Sequence, residues 1–304
     1  MKRQQFNTPI LFCIFNRPNV TKKTFAMIAK MKPKFLYIAA DGPRQEVMGE
    51  NKLCLETRNI TEKITWKCKV YRLNREKNLG CGRAMSGAID WFFNNVDKGI
   101  ILEDDCLPNP SFFKFAEEML NRYESDSTIM HISGDNFLGK DDSKLAPLFS
   151  KYPHVWGWGT WKRAWAKYDY NMDDWNRNNI YRKILSIHGG LLNKLYWTAK
   201  FDSVAYRITN TWDYQWIYAN FNNNGKSVFP SINLVKNIGF GVDSTHTKNE
   251  SKKTKFVYKS NTNESINNFE ENHVFNVNYW KTIINFLYFS IFGMIYSRIS
   301  IYDK

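Results

Sequence analysis

The sequence predicts an α/β fold built on a mostly parallel sheet, and three observations carry the prediction. Short apolar runs alternate with helical patterns over the first 135 residues, which is how βαβ units read. Three of the runs end in clusters of charged and polar residues, as expected where strands deliver side chains to one edge of an open sheet. The composition is that of a folded chain: 43% hydrophobic and 16% aromatic over 304 residues, which excludes disordered and collagen-like classes.

Five strands are expected, at Ile10–Phe15, Phe35–Ala40, Lys69–Leu73, Gly99–Leu102 and Ile129–Ser133. The run from Pro9 to Phe15 sits at the short limit of a signal core and ends in Asn16-Arg17-Pro18 without a small-residue cleavage site, so it reads as a buried strand. Helices are expected at about Val20–Lys32, Glu46–Ile64, Gly82–Asn95 and Pro110–Arg122. The last is the best defined. Asn109 is a cap, Pro110 suits the first helical position, and Phe112, Phe115, Ala116, Met119, Leu120 and Tyr123 form one stripe.

Residues 150–245 are rich in tryptophan and less regular, and read as the second half of the same globule. The expected organisation is therefore 1–247 as one catalytic unit, split into 1–135 and 136–247. A polar linker or long loop at 248–273 and an aromatic amphipathic helix at 274–304 complete it.

Forty-three Lys and Arg against twenty-nine Asp and Glu leave +14, a surplus that suits an anionic partner without saying which. The five cysteines, Cys13, Cys54, Cys68, Cys81 and Cys106, are odd in number and form no C-x-x-C pair. Neither a disulfide framework nor a zinc ribbon is indicated, and a cytoplasmic setting is expected.

The clusters after the strands are Asn16-Arg17-Pro18, Asp41-Gly42-Pro43-Arg44 and Glu103-Asp104-Asp105. Consecutive carboxylates repel unless a cation or a hydrogen-bond donor neutralises them. Oxygen ligands select Mg²⁺ or Mn²⁺, ions that complete their shell with phosphate oxygens. The alternative is a solvated acidic turn ahead of the helix at Pro110. Asp41 is placed either to accept hydrogen bonds from a pyrimidine base or to build an ordinary Asp-Gly-Pro turn. Asn78-Leu79-Gly80-Cys81-Gly82-Arg83 permits close backbone approach and puts Arg83 near a helix start, where a phosphate of a nucleotide-sugar could sit, but lacks the Gly-Lys-Ser/Thr ending of a Walker loop.

Together with Pro108-Asn109-Pro110-Ser111-Phe112-Phe113, Ser133-Gly134-Asp135-Asn136, Gly157-Trp158-Gly159 and Trp212-Asp213, these segments resemble glycosyltransferases of the GT-A fold, in particular the N-acetylglucosaminyltransferase I-like group and its bacterial relatives. The resemblance runs from about Pro9 to His246. It implies a Rossmann-like, mostly parallel sheet flanked by helices, and an inverting, metal-dependent transfer from a UDP-sugar to a hydroxyl of a glycan or lipid-linked acceptor. Arg17 would meet the diphosphate, Asp41 the uracil, Glu103 and Asp104 the sugar and ribose, and Asp105 the Mn²⁺ or Mg²⁺. Asp213, after a tryptophan, would be the general base. His246 would lie in a late loop over the phosphates.

Other candidates are read from the residues themselves. Trp156 and Trp158, flanked by glycine, suit either sugar contact or core, whereas Trp161, Trp165 and Tyr168 recur at helical spacing after Thr160, a possible cap, and read as core. Trp212 and Trp216 either position Asp213 or fill the core. Asp135 either lines the acceptor cleft or forms a turn with Asn136. His131, in an apolar strand, reads as a satisfied core residue, and the five histidines show no ligand spacing.

Thr282–Ser297 carries no charge but falls short of a bilayer span, which takes about 20 residues. A helix here would lie in an anionic membrane interface on the cytoplasmic face, cover the catalytic unit or make a homo-oligomer contact. Two rival functions are weighed. A sugar-nucleotide nucleotidyltransferase would carry G-x-G-T-R-L near the first strand, where Phe15-Asn16-Arg17-Pro18 stands instead. A nucleic-acid-binding protein would interleave aromatic and basic residues on a platform or present a recognition helix, and neither is evident, so no nucleic-acid partner is expected.

Overall fold

The structure is a computed structural model and describes residues 5–136, 147–175 and 191–239. His246, the linker at 248–273 and the C-terminal helix at 274–304 lie outside the described residues. No described helix is long and apolar enough to cross a membrane.

Strands β1 (Ile10–Ile14), β2 (Phe35–Ala40), β3 (Lys69–Asn74) and β4 (Lys98–Glu103) alternate with helices α1 (Pro18–Met31), α2 (Glu50–Ile60) and α3 (Gly80–Phe93). They pair in parallel as β3-β2-β1-β4. Alternate residues of each central strand face opposite sides of the sheet. Ile10, Phe12, Ile14, Ile38 and Leu102 join one core cluster with Phe25 and Ile28 of α1. Leu11, Cys13, Tyr37 and Ile101 join another with Ala88, Ile89 and Phe92 of α3. Burial on both sides explains why these strands read as continuous apolar runs.

Beyond β4 the chain forms β5 (Cys106–Pro108), α4 (Pro110–Arg122), β6 (Ile129–Ser133), β7 (Pro147–Ser150), β8 (Trp158–Trp161), α5 (Lys162–Trp165), α6 (Leu191–Ala205), α7 (Asp213–Asn222), β9 (Lys226–Pro230) and β10 (Val235–Asn237). The main sheet of the described residues has eight strands in the order β3-β2-β1-β4-β8-β6-β9-β7. Strand β8 lies antiparallel between β4 and β6, so strands from both halves of the chain interlock. Strands β5 and β10 form a separate antiparallel ribbon.

Helix α4 keeps its expected bounds. The Asn109 carboxamide accepts from the Ser111 amide at 3.0 Å, and Phe112, Phe115, Ala116, Met119 and Leu120 are buried. Helix α2 is shorter than expected because the chain reaches it through Gly49 at φ 81° and leaves it at Thr61. Around Trp158 two expectations are corrected. Thr160 is not a helix cap: it lies in β8 and donates to the Met130 carbonyl at 2.6 Å, while the helix that follows runs for four residues. Trp158 is also in β8 rather than in a loop, 1% exposed. It stacks on His131 at 5.0 Å and on Trp212 at 5.5 Å.

His131 is the core residue the sequence suggests. Trp216 donates to its Nδ1 at 3.1 Å, and Nε2 lies 2.8 Å from the His154 carbonyl, which together assign the neutral Nε2-protonated ring. Burial pulls its pKa down to about 3.

Candidate functional site

Parallel strands β1, β2 and β4 end at one cleft of about 770 Å³, lined by Arg17, Asp41, Arg75, Glu103, Asp104, Asp105 and Asp213 among others. The edge predicted from the sequence is therefore formed, with all three strand-end clusters on it.

Arg17 is its organising cation. The guanidinium bonds both Asp104 oxygens and donates to Asp105 Oδ2 at 3.0 Å. Asp104 also accepts from Thr21 Oγ1, and its carbonyl from Thr24 Oγ1 at 2.7 Å, which fastens the acidic turn to α1. Burial opposes the charge on Arg17, yet the two aspartates hold the guanidinium firmly protonated. Burial lifts Asp104 to about 6 against the pull of Arg17. The Glu103 side chain has no hydrogen bond or ion pair among the described residues. Burial first, then the charge of Asp105, raises its pKa well above the ordinary range, with Asp104 and Asp213 adding to the rise. An unpartnered carboxyl that favours its protonated form is suited to meeting a ligand hydroxyl.

Asp41 lies under a tight loop. It accepts from the Leu79 amide and from Asn78 Nδ2 at 2.9 Å, while burial raises its pKa against those bonds. Arg44 lines the same cleft but is engaged by the buried Glu50. Arg75 is the residue that sequence reasoning missed. It follows β3, its Nη1 donates to the Ala84 carbonyl at 3.1 Å, and it has no ion pair among the described residues. The strand-end rule that singled out Arg17, Asp41 and Glu103 applies equally to Arg75.

Asp213 opens α7, where the positive end of the helix favours a carboxylate. Oδ1 accepts from Thr211 Oγ1 and from the Tyr214 amide at 3.0 Å. Trp212 and Trp216 on either side are buried in the aromatic block, which fixes the start of the helix. Among the described residues no three His, Cys, Asp or Glu side chains form a metal cage. Even so, Asp104 and Asp105 share the guanidinium of Arg17, two carboxylates to one paired cation. That balance fits a hard divalent ion held by Asp105 and completed by ligand oxygens.

The other predicted residues are placed as follows. Trp156 lines the cleft. Trp158 does not, because it is sealed in the core. Asp135 is 1% exposed and off the cleft wall; Ser133 Oγ donates to its Oδ1 at 2.6 Å, and its Oδ2 is buried without a partner. Burial raises Asp135 to about 7. Arg83 lines a second, smaller cavity. The glycines before it serve packing: a side chain on Gly82 would collide with Asn210, Thr211 and Tyr170. Beside Asp105, Ile238 donates to the Asp105 carbonyl at 2.8 Å, bringing Gly239 so close to Asp105 that no side chain would fit there.

No protein-family model and no curated protein matches the chain. Solved structures that resemble it include a cytidylyltransferase from Leptospira borgpetersenii serovar Hardjo-bovis, with 10% identity, TM-score 0.34, and coverage of 54% of this chain and 63% of that one. An apo UDP-glucose pyrophosphorylase has 12% identity and TM-score 0.31, with 73% and 90% covered. The 4-diphosphocytidyl-2C-methyl-D-erythritol synthase from Anaerococcus prevotii has 9% identity and TM-score 0.29, with 70% and 97% covered. The chain thus spans under two thirds of the cytidylyltransferase. At overlaps this low, the likeness does not distinguish one reaction from another.

Proposed function

We propose that the protein is a transferase of nucleotide-sugar chemistry, with the nucleotide in the cleft at the ends of β1, β2 and β4. The carrying observation is the convergence of Arg17, Asp41, Arg75, Glu103 and Asp105 on that cleft. Asp41 and the loop at 78–79 offer polar groups to a base. Arg17 and Arg75 offer donors to phosphate oxygens. Glu103 meets a sugar hydroxyl. A divalent ion on Asp105, when bound, would neutralise charge on a diphosphate leaving group.

Within that class, glycosyl transfer to a glycan or lipid-linked hydroxyl is the leading reading. It draws on Asp213, a carboxylate lining the same cleft, carried by a different element and oriented by Thr211 and Tyr214. As general base it would take the proton of the attacking hydroxyl while that oxygen displaces the nucleoside diphosphate from the anomeric carbon, which inverts the configuration there. Nucleotidyl transfer, the activity named by the solved structures reported above, is the second reading.

One experiment separates them. UDP-sugars with and without Mn²⁺ are assayed for release of UDP, and nucleoside triphosphates with sugar 1-phosphates for release of pyrophosphate. UDP release supports glycosyl transfer, pyrophosphate release supports the second reading, and silence in both arms defeats the proposal.

A further inference from the structure

Beside the cleft lies a cavity of about 250 Å³ lined by Leu79, Arg83, Tyr170, Arg207, Thr209 and Asn210. No acidic side chain lines it. Arg83 of α3 and Arg207, which turns the chain after α6 at φ 61°, both lie 5.1 Å from the centroid of the Tyr170 ring. Arg207 is anchored, donating to the Tyr170 carbonyl at 3.1 Å and to Asn171 Oδ1 at 2.6 Å. The Arg83 side chain has no hydrogen bond or ion pair among the described residues. Both guanidinium groups border the same cavity, and the guanidinium fork matches a phosphate oxygen pair. Elsewhere around the cleft, Arg17 and Arg44 are matched by carboxylates, and Arg75 donates to the Ala84 carbonyl.

The cavity borders the main cleft. Thr209 and Asn210 line both, and Asn210 is held in place by accepting from the Gly82 amide at 3.0 Å. Three residues on is Asp213. A molecule presenting a hydroxyl to Asp213 would therefore extend over Asn210 towards the two arginines.

We infer that Arg83, Arg207 and Tyr170 form an anion subsite that holds a phosphate group of the acceptor. The acceptor assignment rests on the transferase reading; the anion site does not. Isothermal titration of the full chain tests it. With UDP saturating the cleft, a hexose 6-phosphate, a hexuronate and the neutral hexose are titrated into wild type, Arg83→Ala, Arg83→Lys and Arg207→Ala. The expected result is tightest binding of the phosphorylated sugar, weakened about 10- to 100-fold in either alanine variant and largely kept in Arg83→Lys, with UDP affinity unchanged throughout. Equal binding of the neutral sugar, tighter binding of the uronate, or alanine variants that bind like wild type would overturn it. If UDP fails to bind, the nucleotide reading falls, and the same titration without UDP still reports on the arginine pair.

Discussion

Asp135 keeps its proton to about pH 7, whereas the unfolded chain releases it near the ordinary 3.8. Between those values the native state binds the extra proton, so native stability falls as pH rises through that window and the loss is complete above about 7. Asp135→Asn removes the dependence: its thermal midpoint relative to wild type is expected to climb from pH 4 to 7 and then level off. A difference independent of pH would refute the buried proton. Asp213→Asn is expected to leave UDP affinity intact and cut turnover by about 10² to 10⁴, which single-turnover kinetics with the active donor would check. Arg75→Ala should weaken UDP by about 1.5–3 kcal/mol if its donors reach phosphate; unchanged affinity in a calorimetric titration places Arg75 in a structural role only. At this scale the sequence made Arg17 and the Glu103-Asp104-Asp105 turn legible, because charged residues directly after an apolar strand have one place to go. Trp158 was not legible, since an indole between glycines looks alike in a loop and in a buried strand. Its side was settled by pairing with β4 and β6, contacts far away in sequence.

Helix α4 shows how much local chemistry specifies an element. Cap, proline and apolar stripe agree, and the expected and observed bounds coincide. Asn109→Ala should cost about 1 kcal/mol, read as a lower urea midpoint with unchanged slope; no shift would mean that the turn from β5 holds the helix start without the side chain. Helices α1 and α3 both begin two residues before their expected starts, at Pro18 and Gly80; Pro18 ends the preceding loop and also serves as a first-turn residue. Residues 161–168 were misleading for the opposite reason. The 3.6-residue spacing of Trp161, Trp165 and Tyr168 does not mark a continuous helix: Trp161 ends β8 and packs with Leu120 in one core cluster, while Trp165 stacks on Tyr168 in the other, and a periodic pattern over so few residues does not separate the two cases.

Across the whole molecule, the parallel half was legible because its central strands β1, β2 and β4 are buried on both faces, while the placement of β8 between β4 and β6 was not, since antiparallel insertion leaves no local mark. This interlocking has a testable result. Residues 1–136 alone lack the neighbours of β6, namely β8 and β9, so that fragment is expected to give weak near-ultraviolet dichroism and no cooperative urea transition; a sharp transition would establish the first half as an autonomous unit. The aromatic block behind Asp213 has an optical consequence. Trp156 and Trp212 border the cleft, whereas Trp161 and Trp197 are buried and do not line it. Occupancy should therefore change the emission of a minority of native indoles against a constant background, so the protein carries its own fluorescent reporter and ligand titrations need no added label.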